Sequence, residues 1–167
     1  MSVDVELVLA GKIGFAAHQN AVPVLRELRL THSGQEPLVD VSLTVTAEPA
    51  FVVPRTWHLE RLDPKGTLYL DDRDLEFDAA LLGSLQESLV AQLTFTVRQG
   101  EEILQTRRYP VELLARNQWG GVDSMPELAA AFVMPNDPAV DRLLGAATEV
   151  LRRAGKSTAL DGYQSGS

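Results

Sequence analysis

The sequence contains no cysteine, only 6% aromatic residues and a shortage of positive charge. Without cysteine there is no disulfide framework, no thiolate nucleophile and no zinc site with sulfur ligands. Few aromatics argue against a sugar- or small-ligand site, which sets exposed rings around polar groups. No window approaches the roughly 18 uninterrupted apolar residues of a membrane-spanning helix. The start, "MSVDVELVLAGKIG", lacks the basic head and apolar core of a signal peptide. A cytoplasmic protein with no membrane partner is therefore expected. Acidic residues number 23 against 15 basic ones, for a net charge of −8. A duplex-binding surface displaces counterions with a basic face. Here basic doublets stand only at 107–108 and 152–153, with no aromatics between them. Direct binding of nucleic acid is not expected.

What is present is a soluble-type composition, 45% hydrophobic and 23% charged over 167 residues. A chain of this size can bury roughly 70% of its unfolded surface. The first 115 residues run mostly in period two. Val3, Val5, Leu7 and Leu9 form one set, Val39, Val41, Leu43 and Val45 a second, and Leu89, Ala91, Leu93, Phe95 and Val97 a third. Such alternation is the mark of half-buried antiparallel strands. Further strands are predicted near 24–31, 57–62, 67–70 and 103–113, with turns at "HSGQEP" (32–37), "DPKG" (63–66) and "RQGEE" (98–102). Gly100 supplies the positive φ of a hairpin. Seven or so short strands at regular spacing predict a mainly β fold, an Ig- or fibronectin-like antiparallel β-sandwich over 1–116; a jelly roll or partly open barrel has the same spacing. "DAALLGSLQE" at 78–87 predicts a short helical turn capped by Asp78.

After residue 115 the period changes. Residues 117–123 read as a Trp-Gly-Gly connector, and 124–155 as a two-helix C-terminal extension. Ser124 and Glu127 form a capping box around Pro126, predicting a helix over 124–133 that Pro135 stops. Asp137 caps a second helix with Pro138 in its first position. Its apolar stripe is Val140, Leu143, Leu144, Ala147, Val150, Leu151 and Ala154, and Gly155 closes it. The segment 156–167 is a polar tail that reads as a boundary within a larger reading frame. Trp119 is expected as an aromatic plug after the last strand. The block with Phe132 and Met134, near the end of the first helix, is expected to bury against the chain's own sandwich; the alternative is an exposed patch in which they join Trp119 as candidate contacts to a neighbouring domain.

No constellation for chemistry is found. "AGKST" at 154–158 has Val150 where a phosphate loop needs its first glycine, and a helix where it needs a strand. "DDRDLEFD" at 71–78 places Asp72, Asp74, Glu76 and Asp78 on one face of an extended segment, with Leu75 and Phe77 on the other. It lacks the glycine that bends a calcium loop, so a solvated acidic edge is expected. His18, His32 and His58 are scattered; His58 and Glu60 share a strand face, short of the three ligands of a catalytic zinc. They read as surface or structural histidines. His18, Gln19 and Asn20 stand just before a strand, where their polar groups serve the backbone. No G-x-S-x-G elbow is present. No catalytic residue, cofactor or metal is expected in this chain.

Several segments carry a resemblance: "HQNAVPVLRELRL", "AEPAFVVP", "PVELLARNQWGG", "PELAAAFVMPNDPAVDRLL" and "LDGYQSG". Together they resemble the N-terminal region of large bacterial proteins of the helicase–nuclease type. That family continues into a domain of unknown function, a superfamily 1 helicase-like motor and a Vsr-like endonuclease segment, and some members are linked to defence against phage. The resemblance is strongest over 108–165. "HSG" at 32–34 departs from an Asn-containing turn frequent in the family. The motor and nuclease motifs lie downstream of the matching region, so no catalytic residue carries over. The resemblance implies a non-catalytic interaction or sensing module whose partners are downstream domains of the same polypeptide and a further protein. The alternative is a free-standing sandwich that binds a small ligand or carbohydrate.

Overall fold

The computed structural model describes residues 3–121, 128 and 138–156. The chain divides into two compact units, Met1–Ala131 and Phe132–Ser167. The first is mainly β. Its elements run β1 (Val3–Leu9), β2 (Lys12–Ile13), α1 (Phe15–Gln19), β3 (Leu25–His32), β4 (Leu38–Glu48), β5 (Arg55–Leu62), β6 (Thr67–Tyr69), α2 (Ala79–Ser84), β7 (Leu89–Gln99) and β8 (Glu102–Leu113). The strands form a three-stranded sheet in the order β1-β3-β6 and a five-stranded sheet in the order β2-β8-β7-β4-β5. All pairings are antiparallel except that of β2 with β8.

Period-two patterning does what it predicts in the longest strands. Leu43 stands between Val97 and Trp57, and Val41 opposite Leu59. These residues, with Val45, Leu93 and Phe95, are buried, while Ser42, Thr44, Thr94 and Thr96 face outward. Thr106, Thr96, Thr44 and Thr56 line up as a polar row across four strands. In the smaller sheet Val3, Val5, Leu28 and Leu30 fill the inner face. Gly100, at φ +56, turns β7 into β8 as expected. Pro110 sits in β8, which has a ladder partner on its outer side only at Glu112 and Leu113. A residue without an N–H is tolerated on such an edge.

Alternation fails at Asp40 and at Arg26, and again at the β7–β8 register shift, where Ile103 is exposed and Gln105 buried. Period two groups Val39 with Val41 on the inner face, yet Val39 is 51% exposed. Asp40 adopts φ 55, a left-handed conformation that rotates the chain and turns Val39 outward. In β3 the register moves between Val8↔Glu27 and Leu9↔Leu25, so Arg26 is an extra residue. This bulge puts Leu25 and Leu28 on the same side.

The chain changes sheets five times, and two of these crossings, β3–β4 and β5–β6, are tied together. The His32 amide donates to Gly66 O at 2.9 Å, and Lys65 Nζ donates to Ser33 O at 2.6 Å. Asp78 caps α2 through its carboxylate, which accepts from the Leu81 amide at 2.9 Å. Leu82 beneath it is buried. Between the sheets, Arg107 of β8 donates to Asp4 of β1 at 2.7 and 3.2 Å. That hydrogen-bonded guanidinium holds the Asp4 carboxyl below the usual aspartate range, against the opposing effect of burial. Tyr109 packs edge-on against Phe95 with ring centres 5.8 Å apart. Burial pushes the Tyr109 phenol above its ordinary pKa.

The helix predicted over 124–133 lies outside the described residues apart from Leu128, which is buried. In the second unit, α3 (Pro138–Arg153) begins at Pro138 as its sequence predicts. Gly155 ends it at φ +66. Its amide donates to Arg152 O at 3.1 Å, and the Lys156 amide to Leu151 O at 2.9 Å, a Schellman closure. "AGKST" thus starts as a helix cap. Leu143 and Val150 of its apolar stripe are exposed. Among the described residues no helix is long and apolar enough to cross a membrane.

Candidate functional site

A cleft of the first unit forms where β6 leaves its neighbour. Leu70 N still donates to Leu28 O at 2.9 Å. The chain then peels away toward β5 and runs extended from Asp71 to Asp78. Three successive alternate carbonyls anchor it on that side. Trp57 Nε1 donates to Asp72 O at 2.7 Å, the Arg55 guanidinium donates to Asp74 O, and the Val53 amide donates to Glu76 O at 2.8 Å. The Asp78 amide completes the series by donating to Phe51 O at 2.9 Å. Arg55 also pairs with the Asp72 carboxylate and lies over the Trp57 ring, 4.8 Å from its centre. The guanidinium is thereby held by a carboxylate, a carbonyl and a π face at once.

Backbone groups of successive residues in an extended chain point to opposite edges. With 72, 74 and 76 turned toward β5 and Val53, the N–H and C=O groups of Arg73, Leu75 and Phe77 point the other way. They have no hydrogen-bond partner among the described residues. The cleft opens on that side, with a volume of about 400 Å³. Its opposite wall is the α1–β3 connection, including His18, Ala21, Val22 and Pro23.

That wall is built by a second Schellman-type closure. Ala21 N donates to His18 O at 3.2 Å and Val22 N to Ala17 O at 3.0 Å. The left-handed position, usually glycine, is Ala21 at φ 49. A Cβ in this region is strained, and such strain clusters at binding sites. The cleft combines apolar side chains (Val22, Pro23, Leu75, Phe77) with the charged Arg73, Asp74 and Glu76.

The acidic run keeps the alternation its sequence suggests: Asp72, Asp74, Glu76 and Asp78 are exposed, and Leu75 and Phe77 half-buried. It is not a ladder strand, since only Phe77 bridges, to Val52. Among the described residues no group of three or more histidine or carboxylate side chains is placed to hold a metal ion. His58 and Glu60 stand on the outer face of β5, both exposed. His32 is a core residue, 1% exposed. Its Nε2 lies 2.8 Å from Glu36 O, which can only accept, and its Nδ1 accepts from the Gly34 amide at 3.4 Å. His18 and Gln19 belong to α1, a helix the sequence does not announce, and Asn20 forms its C-cap.

Of the residues expected at a domain contact, Trp119 is 37% exposed, and Gly121, two residues on, turns the chain at φ +89. Phe132 and Met134 lie outside the described residues. The cleft was not anticipated. Its one legible sign was the alternation of "DDRDLEFD". No protein-family model, curated protein or solved structure matches the chain.

Proposed function

We propose that this chain is a non-catalytic interaction or sensing module, built as an Ig- or fibronectin-like antiparallel β-sandwich. It serves as the N-terminal part of a large helicase-type ATPase, with downstream domains of that polypeptide and a further protein as partners. Two sheets that each bury one face support the sandwich. The resemblance of the quoted segments supports the larger context. The observation that carries the interaction reading is the cleft wall at 73–77, an extended backbone with one edge bonded and the other open. A wall of that kind receives a polypeptide. Polar side chains of types that serve chemistry elsewhere are engaged in the fold: His32 closes a turn, Asp78 caps α2, and Arg55 straps the acidic run to β5. The test is direct. Purified chain that hydrolyses ATP or cleaves DNA overturns this reading.

One observation favours a small ligand or carbohydrate instead. The cleft volume of about 400 Å³ falls within the range of ligand pockets. A rise in thermal midpoint with a single sugar or nucleotide, out of a panel, selects this second reading.

A further inference from the structure

We infer that the open edge at Arg73, Leu75 and Phe77 is a strand-addition site for an extended peptide of a partner protein, one whose side chains alternate between apolar and basic. This rests on the interaction reading above and assigns it a surface and a partner chemistry.

The backbone comes first. Each of these residues offers an N–H and a C=O that the described structure leaves unbonded. They recur at every second residue, the repeat with which a neighbouring strand presents its own groups. A peptide of about five residues, at about 3.3 Å per residue, matches the segment in length. Strand addition draws affinity from such main-chain bonds and specificity from pockets for alternate side chains. The apolar lining of the two walls supplies those pockets in Val22, Pro23, Leu75 and Phe77.

Charge selects the occupant. Asp74 and Glu76 line the cleft and form no ion pair among the described residues, whereas Asp72 is taken by Arg55. Asp71 and Asp78 flank them and are exposed. Arg73 is the single cation of the segment. An added strand with lysine or arginine at alternate positions meets this carboxylate row. A second copy of the chain, pairing edge to edge, sets carboxylates against carboxylates and is disfavoured for the same reason. The run also lacks the proline or lysine with which exposed edges are commonly blunted.

The test is selection from a phage-displayed library of random seven-residue peptides on the purified full chain, followed by fluorescence anisotropy with the synthetic peptides recovered. The expected result is enrichment of sequences alternating Val, Ile or Leu with Lys or Arg. N-methylation of alternate peptide nitrogens weakens binding at least about tenfold, since those nitrogens donate to the open carbonyls. Leu75→Pro weakens it similarly; its N–H carries no bond of the fold, so the variant should retain the parent's thermal midpoint. Asp74→Lys with Glu76→Lys, at exposed side chains, inverts the preference toward acidic peptides. Peptides that bind Leu75→Pro and the double lysine variant as tightly as the parent overturn the edge, as does a library that yields no binder. Neither result removes the interaction reading, which falls if the chain hydrolyses ATP or cleaves DNA, or if a single sugar or nucleotide raises its thermal midpoint.

Discussion

Gly34→Ala tests how the chain crosses between sheets. Gly34 is not at a positive φ, so its backbone accepts alanine. Taken alone the change would stabilise by about 0.4–1 kcal/mol, by restricting the unfolded chain. A Cβ at this position, however, lies 2.4 Å from His32 Cε1 and 2.8 Å from Nε2. The ring has little freedom to yield. It is 1% exposed, and Glu36 O and the Gly34 amide hold its two nitrogens. Its own amide is bonded to Gly66 O of the other crossing. Overpacking of this sort costs about 1–3 kcal/mol. Net destabilisation of about 1–2 kcal/mol follows, read as a urea midpoint lower by about 0.5–1 M at unchanged slope. The decisive measurement is the double-mutant cycle with His32→Ala. Without the imidazole, Gly34→Ala should become neutral or stabilising, leaving a coupling energy of about 2 kcal/mol. Equal effects in both backgrounds refute the argument, because the clash would then not be with His32.

Three further outcomes are expected. Asp78→Ala removes the cap of α2 and lowers unfolding free energy by about 1 kcal/mol in chemical denaturation. Ala21→Gly relieves a left-handed alanine; the gain of about 1–2 kcal/mol outweighs glycine's entropy cost of about 0.5–1 kcal/mol, so the melting temperature rises. Because the Asp4 carboxyl is held below its ordinary pKa of 3.8, its contribution is fully present above that value and is lost as pH falls through the folded pKa. Acid unfolding of Asp4→Asn should therefore show a shallower loss of stability below about pH 4 than the parent, measured by denaturant titration at each pH.

Much of the fold was legible because a sheet with one wet face writes its geometry into the side chains. The sets Val41-Leu43-Val45 and Ala91-Leu93-Phe95-Val97 needed no further information. Gly100, Asp78, Pro138 and Gly155 were readable because each answers a local backbone demand. Val39 misled because its orientation depends on the φ of Asp40, and nothing in "VDV" announces a left-handed residue. The helix α1 was hidden by its length, five residues, too short for periodicity to register. The cleft could not be read at all. Its walls lie about 50 residues apart in sequence, and its distinguishing groups are amides and carbonyls, which every residue carries. Only tertiary bonding decides which edge of 72–77 is used and which stays open.

The parallel pairing of β2 with β8 has a mechanical consequence. Glu112 N donates to Gly11 O and Leu114 N to Ile13 O, each at 2.9 Å. Tension that reaches β2 from upstream and β8 from downstream runs along these strands in opposite senses. The bonds between them are then loaded in shear and must yield together, whereas a hairpin pulled from its open end unzips bond by bond. Force applied to the chain beyond β8 would meet its first resistance in this two-residue clasp, ahead of the longer β7–β8 ladder.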